Sequence, residues 1–139
     1  MKKKLLAILM LILLTIALFT SFALSADVPM MTKEELKAML DSPDLAIFDV
    51  RMGSDYFSSD LKIKGAVRPV MGAPLHETLF STYPKGKTFV VYCASSNEER
   101  STANVKDILS YGRDGYTKIY VLKGGWEEWL KANYPTEKK

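Results

Sequence analysis

Thr88-Phe89-Val90-Val91-Tyr92-Cys93-Ala94-Ser95-Ser96-Asn97-Glu98-Glu99-Arg100-Ser101-Thr102 is the stretch whose reading decides the fold. Phe89 to Tyr92 is an apolar, β-branched and aromatic run, the pattern of a buried strand. It stops at Cys93, the single cysteine of the 139-residue chain. Small and polar residues follow, and Ser101 and Thr102 stand where a helix can begin. Val105, Ile108 and Leu109 then fit one face of that helix. A thiol is thereby placed at a strand end, in a loop that leads into a helix N-terminus. Free N–H groups and the positive end of the helix dipole favour an anion there, and a thiolate is such an anion. A buried cysteine can also be inert packing. The order strand, cysteine, polar loop, helix favours a nucleophile.

Outward from this stretch, short apolar runs alternate with helical patterns. Thr32 and Glu35 have capping-box spacing ahead of Leu36, Met39 and Leu40. Asp41 to Asp44 is a turn. Leu45 to Phe48 reads as a buried strand ending in Asp49-Val50-Arg51. Gly53 to Ser59 reads as a loop or brief helix. Ala66 to Arg68 is a short strand, and Leu75 to Ser81 a short helix carrying His76. Ile119 to Leu122 is the last buried strand. Gly124-Gly125 turns the chain into a helix marked by Trp126, Trp129 and Leu130, and Pro135 to Lys139 reads as a frayed, charged tail. This alternation predicts an α/β domain, with a mostly parallel sheet covered on both faces. Ligands of such folds bind beyond the carboxyl ends of the strands, where Asp49 and Cys93 both fall.

Residues 1–26 read differently. Met1 to Lys4 is a basic start, Leu5 to Phe22 is almost wholly apolar, and Ala23-Leu24-Ser25-Ala26 offers small residues for cleavage. That is the pattern of a secretory signal peptide. It predicts a periplasmic or secreted product beginning near Ala26 or Asp27, with no membrane attachment after cleavage. An uncleaved anchor over residues 5–24 is the alternative. The domain itself is expected over residues 32–135. The formal charge of +3 comes from Lys2 to Lys4; the remaining basic residues balance the 16 acidic ones. A balanced surface without a basic cluster argues against nucleic acid as a partner. In an oxidising compartment Cys93 has no partner cysteine within the chain.

Four segments together resemble the single-domain rhodaneses, a sulfurtransferase family. They are Asp49-Val50-Arg51 after a strand, Lys64-Gly65-Ala66 before a short strand, Val90-Val91-Tyr92-Cys93 with its loop, and Leu122-Lys123-Gly124-Gly125-Trp126. The resemblance implies a three-layer α/β/α fold around a central, mostly parallel five-stranded sheet. It implies a persulfide on Cys93, held by the loop Ala94, Ser95, Ser96, Asn97, Glu98, Glu99 and Arg100. The donor would be a small sulfur-containing anion such as thiosulfate, or a persulfide. The acceptor would be a thiol, cyanide or a protein. The chain departs from the commonest pattern of the family. Arg100 lies seven positions after Cys93, so the loop counts eight residues rather than six. Cys93, Asn97 and Glu98 match a subgroup with an extended C-x-x-x-N-E loop. Lys62 stands where a histidine is usual.

The other residues carry weaker signals. Arg100 is expected to orient an anionic donor. Asp49 is expected to fix loop or strand geometry rather than act as a base. Arg51 either rims the site or forms a structural ion pair. Arg68 can reach the edge of the site. His76 is expected on a surface helix, outside catalysis. One Cys and one His argue against a protein metal site, and no cofactor is implied. Trp126 and Trp129 are expected to pack. Gly124-Gly125 reads as a tight turn, since the longer Gly-rich phosphate pattern is missing. Two rival functions remain. One is a phosphatase or arsenate reductase of the same fold, opposed by the carboxylates of Glu98 and Glu99. The other is a module that binds sulfur or a partner without turnover.

Overall fold

The computed structural model describes Met1 and residues 27–95 and 97–139. The signal-peptide or anchor segment and Ser96 therefore lie outside the described residues. Five strands form the main sheet: β1 (Met30–Met31), β2 (Leu45–Asp49), β4 (Ala66–Val67), β5 (Thr88–Tyr92) and β6 (Ile119–Leu122). Their order is β1-β6-β5-β2-β4, and every pairing is parallel. The short lead-in Met30-Met31 supplies an edge strand, in register with Val121 and Leu122. The expected parallel sheet is thus present.

Strand alternation explains the layers. Ala46, Phe48, Phe89, Val91, Ile119 and Val121 point to one face. There they meet Leu75 and Leu79 of α3 (Leu75–Thr82) and Val105 and Ile108 of α4 (Glu99–Ser110). Ile47, Val90, Tyr92 and Leu122 point to the other face. They meet Leu36 of α1 (Lys33–Met39) and Trp126 and Trp129 of α5 (Gly125–Lys131). Because β5 is covered on both sides, all five of its residues are buried, and its sequence is a continuous apolar run rather than an alternating one.

Local signals act where the sequence places them. Thr32 caps α1: Glu35 N–H donates to Thr32 Oγ1 at 3.2 Å, and Thr32 N–H donates to Glu35 Oε2 at 2.7 Å. The Thr32 backbone and hydroxyl bonds hold the Glu35 carboxyl below the usual range. Gly53–Phe57 forms one turn of helix, α2.

Three expectations are corrected. The tail from Pro135 to Lys139 is not frayed. Thr136–Lys138 forms β7, antiparallel to β3 (Leu61–Ile63) in a separate two-stranded sheet. Polar links hold it: Lys62 Nζ lies 3.1 Å from Glu137 Oε1, and Gly65 N–H donates to the same oxygen at 3.1 Å. A charged composition hides this pairing, because the Gly65 and Glu137 partners are 72 positions apart. Leu130 does not share the buried face of α5 and is 44 % exposed. Trp126 and Trp129 fill the space against the sheet, and Leu130 is left toward solvent. Finally, α4 begins at Glu99, two residues before the Ser101 start that the cap signals suggested. The cap position is Glu98, in the left-handed region at φ 48°. The Ser101 hydroxyl donates instead to the Glu98 carbonyl at 3.0 Å, inside the first turn.

Candidate active site

The register places Asp49 beside Tyr92, so Val50 and Cys93 leave the sheet together at its carboxyl edge. Cys93 is 5 % exposed and stands in the wall of a cleft of about 490 Å³. Ala94, Ser95, Asn97, Glu99 and Arg100 line the same cleft, joined by Arg51 and Asn104. The structure therefore brings most of the expected loop around the sulfur. Ser96 is outside the described residues.

The loop rests on α5. Trp126 N–H donates to the Cys93 carbonyl at 2.9 Å, and Glu127 N–H donates to the Ala94 carbonyl at 3.2 Å. With those carbonyls turned down toward α5, the loop crosses the end of β5 as a cap. The contact requires glycine at position 125. Its φ is +56°, and a Cβ there would stand 2.6 Å from the Cys93 carbonyl oxygen and 3.0 Å from that of Ser95. The glycine pair is thus a close-approach site as well as a turn, a role that the sequence reading missed.

Glu98 is drawn out of the cleft. Its Oε1 accepts from Gly124 N–H at 2.5 Å, and the residue borders a separate surface hollow with Lys33 and Lys123. This bond ties the far end of the long loop to the entry of α5. Asn97 organises the middle: its Oδ1 accepts from Ser95 Oγ at 2.7 Å and from Glu99 N–H at 3.5 Å. Of the two carboxylates weighed from sequence, only Glu99 stays in the wall with Cys93.

Ser101 is the residue that sequence reasoning passed over. It is fully buried, and its Oγ lies 3.3 Å from Cys93 Sγ. Its residue type suggests a helix cap; its place in the first turn of the helix after the loop is the signal that points to the sulfur. A single hydroxyl hydrogen serves either the Glu98 carbonyl or the sulfur. The Glu98 carbonyl has a second donor in Thr102 N–H at 2.8 Å.

Asp49 and Arg51 form the floor. Arg51 Nε donates to both carboxylate oxygens of Asp49 at 2.9 and 3.0 Å, and Nη2 donates to Oδ2 at 2.6 Å. Nη2 also reaches the Leu61 carbonyl at 2.9 Å. The Tyr92 hydroxyl donates to Asp49 Oδ2 at 2.7 Å. Asp49 is therefore saturated and is a brace rather than a free base. Arg51 is only 1 % exposed and its guanidinium carbon lies 4.3 Å from the Trp126 ring centroid. Burial is the largest single influence on the Arg51 guanidinium and would lower it, but the Asp49 hydrogen bonds together with the charges of Tyr92, Asp49 and Tyr56 outweigh it and hold it above its ordinary value. Burial first, and then the Asp49 charge, push the Tyr92 hydroxyl well up, so it stays a donor. Of the two readings of Arg51, the ion pair is present and the side chain also contributes to the cleft wall. Its Nη1 is buried without a partner among the described residues.

Two other candidates lie apart or at the edge. His76 Nδ1 is 2.6 Å from Asp107 Oδ2, and its ring lies 4.2 Å from that of Tyr111, beside a different surface hollow. Arg68 reaches the site edge: its Nη1 donates to the Arg51 carbonyl at 2.9 Å, and its guanidinium carbon lies 3.6 Å from the Tyr56 ring centroid. Among the described residues no three Cys, His, Asp or Glu side chains come together as a metal site.

Comparison with known proteins agrees with this architecture. The family model of the Rhodanese-like domain matches residues 32–132. The chain belongs to that family. A full-length protein from Lactobacillus plantarum aligns over 100 % of both chains, with 21 % identity and a TM-score of 0.64. The Rhodanese-like domain of an Anabaena sp. protein is 29 % identical, covers 80 % of each chain and gives a TM-score of 0.60. A thiosulfate sulfurtransferase from Pseudomonas aeruginosa is 21 % identical over 80 % of this chain and 19 % of its own, with a TM-score of 0.63. No curated protein sequence matches the chain.

Proposed function

We propose that this protein transfers sulfane sulfur through a persulfide on Cys93. The observation that carries the reading is the seating of the sulfur. Cys93 Sγ lies at a strand end in a cleft wall, 3.3 Å from the Ser101 hydroxyl and one loop away from the first turn of α4. The first-turn N–H groups of a helix have no intrahelical acceptor and favour an anion. In the thiol form, the sulfur donates to Ser101 Oγ while the hydroxyl donates to the Glu98 carbonyl. In the thiolate form, the hydroxyl turns to the sulfur, and Thr102 N–H continues to satisfy the carbonyl.

The thiolate attacks the outer sulfur of the donor. With thiosulfate, the S–S bond breaks, sulfite leaves with the electron pair, and Cys93-S-S⁻ remains. An acceptor thiolate or cyanide then attacks the outer sulfur, and the Cys93 thiolate is restored. No net oxidant is consumed in this two-step exchange. Arg100 attracts the anionic donor into the cleft. The Glu98 and Glu99 N–H groups are already bonded within the loop, to the Ser95 carbonyl and Asn97 Oδ1, so the Ser101 hydroxyl is the donor beside the sulfur. Asp55 and Glu99 in the same wall oppose a dianion, thiosulfate as much as a phosphate monoester, which favours a persulfide of lower charge as the donor. The reading includes export, on the strength of the residue 1–26 pattern.

Mass spectrometry after exposure to thiosulfate or polysulfide tests the mechanism. One added sulfur is expected on wild type and none on Cys93→Ser. Thiosulfate:cyanide turnover is expected to fall by about a thousandfold or more in that variant. A wild-type protein that gains no sulfur from either donor overturns the reading. N-terminal sequencing of exported material tests cleavage near Ala26.

A further inference from the structure

We propose that Tyr56 positions one wall of the Cys93 cleft, and that the wall it holds sets how bulky a sulfur donor reaches the thiol. The proposal deepens the sulfur-transfer reading and rests on it for the identity of what enters the cleft. Met52, which leads into α2, and Asp55, within it, stand in the cleft wall with Cys93. Little within α2 itself keeps it there. It is a single turn of five residues, and none of them is buried. Met52 at its cap supplies no side-chain hydrogen bond among the described residues. A helix this short does not persist by itself, because its first turn fixes several dihedral angles for one hydrogen bond. With no side chain seated in the core, α2 belongs to the low-stability end of the fold.

What holds α2 comes from outside it and converges on one ring. The Arg68 guanidinium carbon lies 3.6 Å from the Tyr56 ring centroid, and Lys139 Nζ lies 3.8 Å from the same point. The Arg51 guanidinium carbon stands further off, at 5.4 Å. Each cation is fixed by another part of the chain. Arg68 Nη1 donates to the Arg51 carbonyl at 2.9 Å, and Arg51 is paired to Asp49. Lys139 Nζ donates to the Tyr56 carbonyl, and Lys139 N–H donates to the Asp60 carbonyl at 2.9 Å. Lys139 directly follows β7, so the pairing of β7 with β3 carries it to α2. Cations are drawn to the negative face of an aromatic ring, and here they grip a ring that the core leaves half-buried.

The opposite side of the cleft is held differently. The Cys93 loop is bonded to α5 through the Trp126 and Glu127 N–H groups, and none of those bonds involves α2. Releasing the Tyr56 ring therefore frees Met52 and Asp55 and leaves the sulfur where it is. The cleft widens on one side only. Cys93 is 5 % exposed with the wall in place, so a bulky reagent gains more from its release than a small one. Tyr56 acts through the wall and not on the reacting atoms, which makes it a positioning residue.

Alkylation of Cys93, the single thiol of the chain, by iodoacetamide and by the bulky N-(1-pyrenyl)maleimide tests the wall without any sulfur transfer. Tyr56→Leu is expected to raise the bulky-to-small rate ratio by about tenfold. Amide hydrogen exchange over residues 53–58 is expected to quicken in that variant, with β5 unchanged. Tyr56→Phe keeps the ring and is expected to keep the wild-type ratio, whereas Lys139→Gln, which removes one of the two nearer cations, is expected to raise it about threefold. An unchanged ratio in Tyr56→Leu overturns the proposal. So does a Tyr56→Phe that behaves like Tyr56→Leu, and so does a general loosening in which both rates and β5 exchange rise together. Sulfur uptake from glutathione persulfide relative to cysteine persulfide is expected to move with the alkylation ratio; a fixed uptake ratio beside a shifted alkylation ratio overturns the donor selection. If wild type gains no sulfur but the alkylation ratio shifts, the wall is upheld and the sulfur-transfer reading is removed. If wild type gains sulfur and neither ratio shifts, that reading stands and the wall is overturned.

Discussion

Two strand ends lie side by side at the carboxyl edge of the sheet, and the chain treats them in opposite ways. After β2, the chain closes on itself. Asp49 receives Arg51 and the Tyr92 hydroxyl, Arg51 is covered by Trp126, and both charges are almost wholly removed from water. After β5, the chain is held open. The carbonyls of Cys93 and Ala94 are tied to α5, and Glu98 is pulled to Gly124, so the middle of the loop stands over the cleft. Adjacent positions in one register thus become a brace and the corner that carries the proposed nucleophile. Local polarity does not separate them, since both segments are rich in charge. What separates them is whether each polar group finds its partner inside the fold.

The first way to break the contrast is Asp49→Ala. Removing one member of a buried ion pair leaves the other uncompensated, at a cost of about 3–5 kcal/mol. Thermal or denaturant unfolding should show that loss. A variant as stable as wild type would mean that the corner is not a brace. Gly125→Ala is expected to cost less, about 1–3 kcal/mol, through its left-handed backbone. Its Cβ also meets the Cys93 carbonyl, so persulfide formation should slow along with the loss of stability. Unaltered stability and rate together would remove the close approach from the account.

Ser101→Ala sharpens the comparison from the other side. The hydroxyl is expected to contribute mainly to the sulfur anion, so the rate of sulfur uptake should fall about tenfold. Stopped-flow uptake kinetics read beside thermal unfolding distinguish this from a packing defect, in which the rate falls together with the stability. The smallest effect is expected at β7. Lys62 and the Gly65 N–H hold the Glu137 carboxyl below its ordinary range. A carboxyl lowered by folding contributes stability above its unfolded value and loses it as pH falls through the folded one. Melting of wild type between pH 6 and about pH 3 should therefore show a small acid-side loss. Glu137→Gln should lack that component; identical acid slopes would show that the clasp contributes nothing.

Much of the architecture is legible from the order of residues. Leu45–Phe48, Phe89–Tyr92 and Ile119–Leu122 are apolar on both faces, which only a doubly covered parallel sheet accommodates. The Thr32–Glu35 cap is local and appears as read. Cys93 and Asp49 reach the same edge because parallel strands of similar length end together. The rest depends on partners far away in the chain. Thr136–Lys138 is a strand only because Leu61–Ile63 lies beside it. Glu98 leaves the cleft only because Gly124 N–H is within reach.

The amino-acid sequence by itself determined the sheet, the strand end at which the thiol sits and the sign of the charges near it, because periodicity and residue type act over a few positions. Only the tertiary structure decided which polar groups are consumed and which remain available. Asp49 was consumed by Arg51 and Tyr92, whereas Arg68 and Arg100 kept their charges uncompensated among the described residues. Hydrogen bonds form between groups about 3 Å apart in space, and separation along the chain does not report that distance.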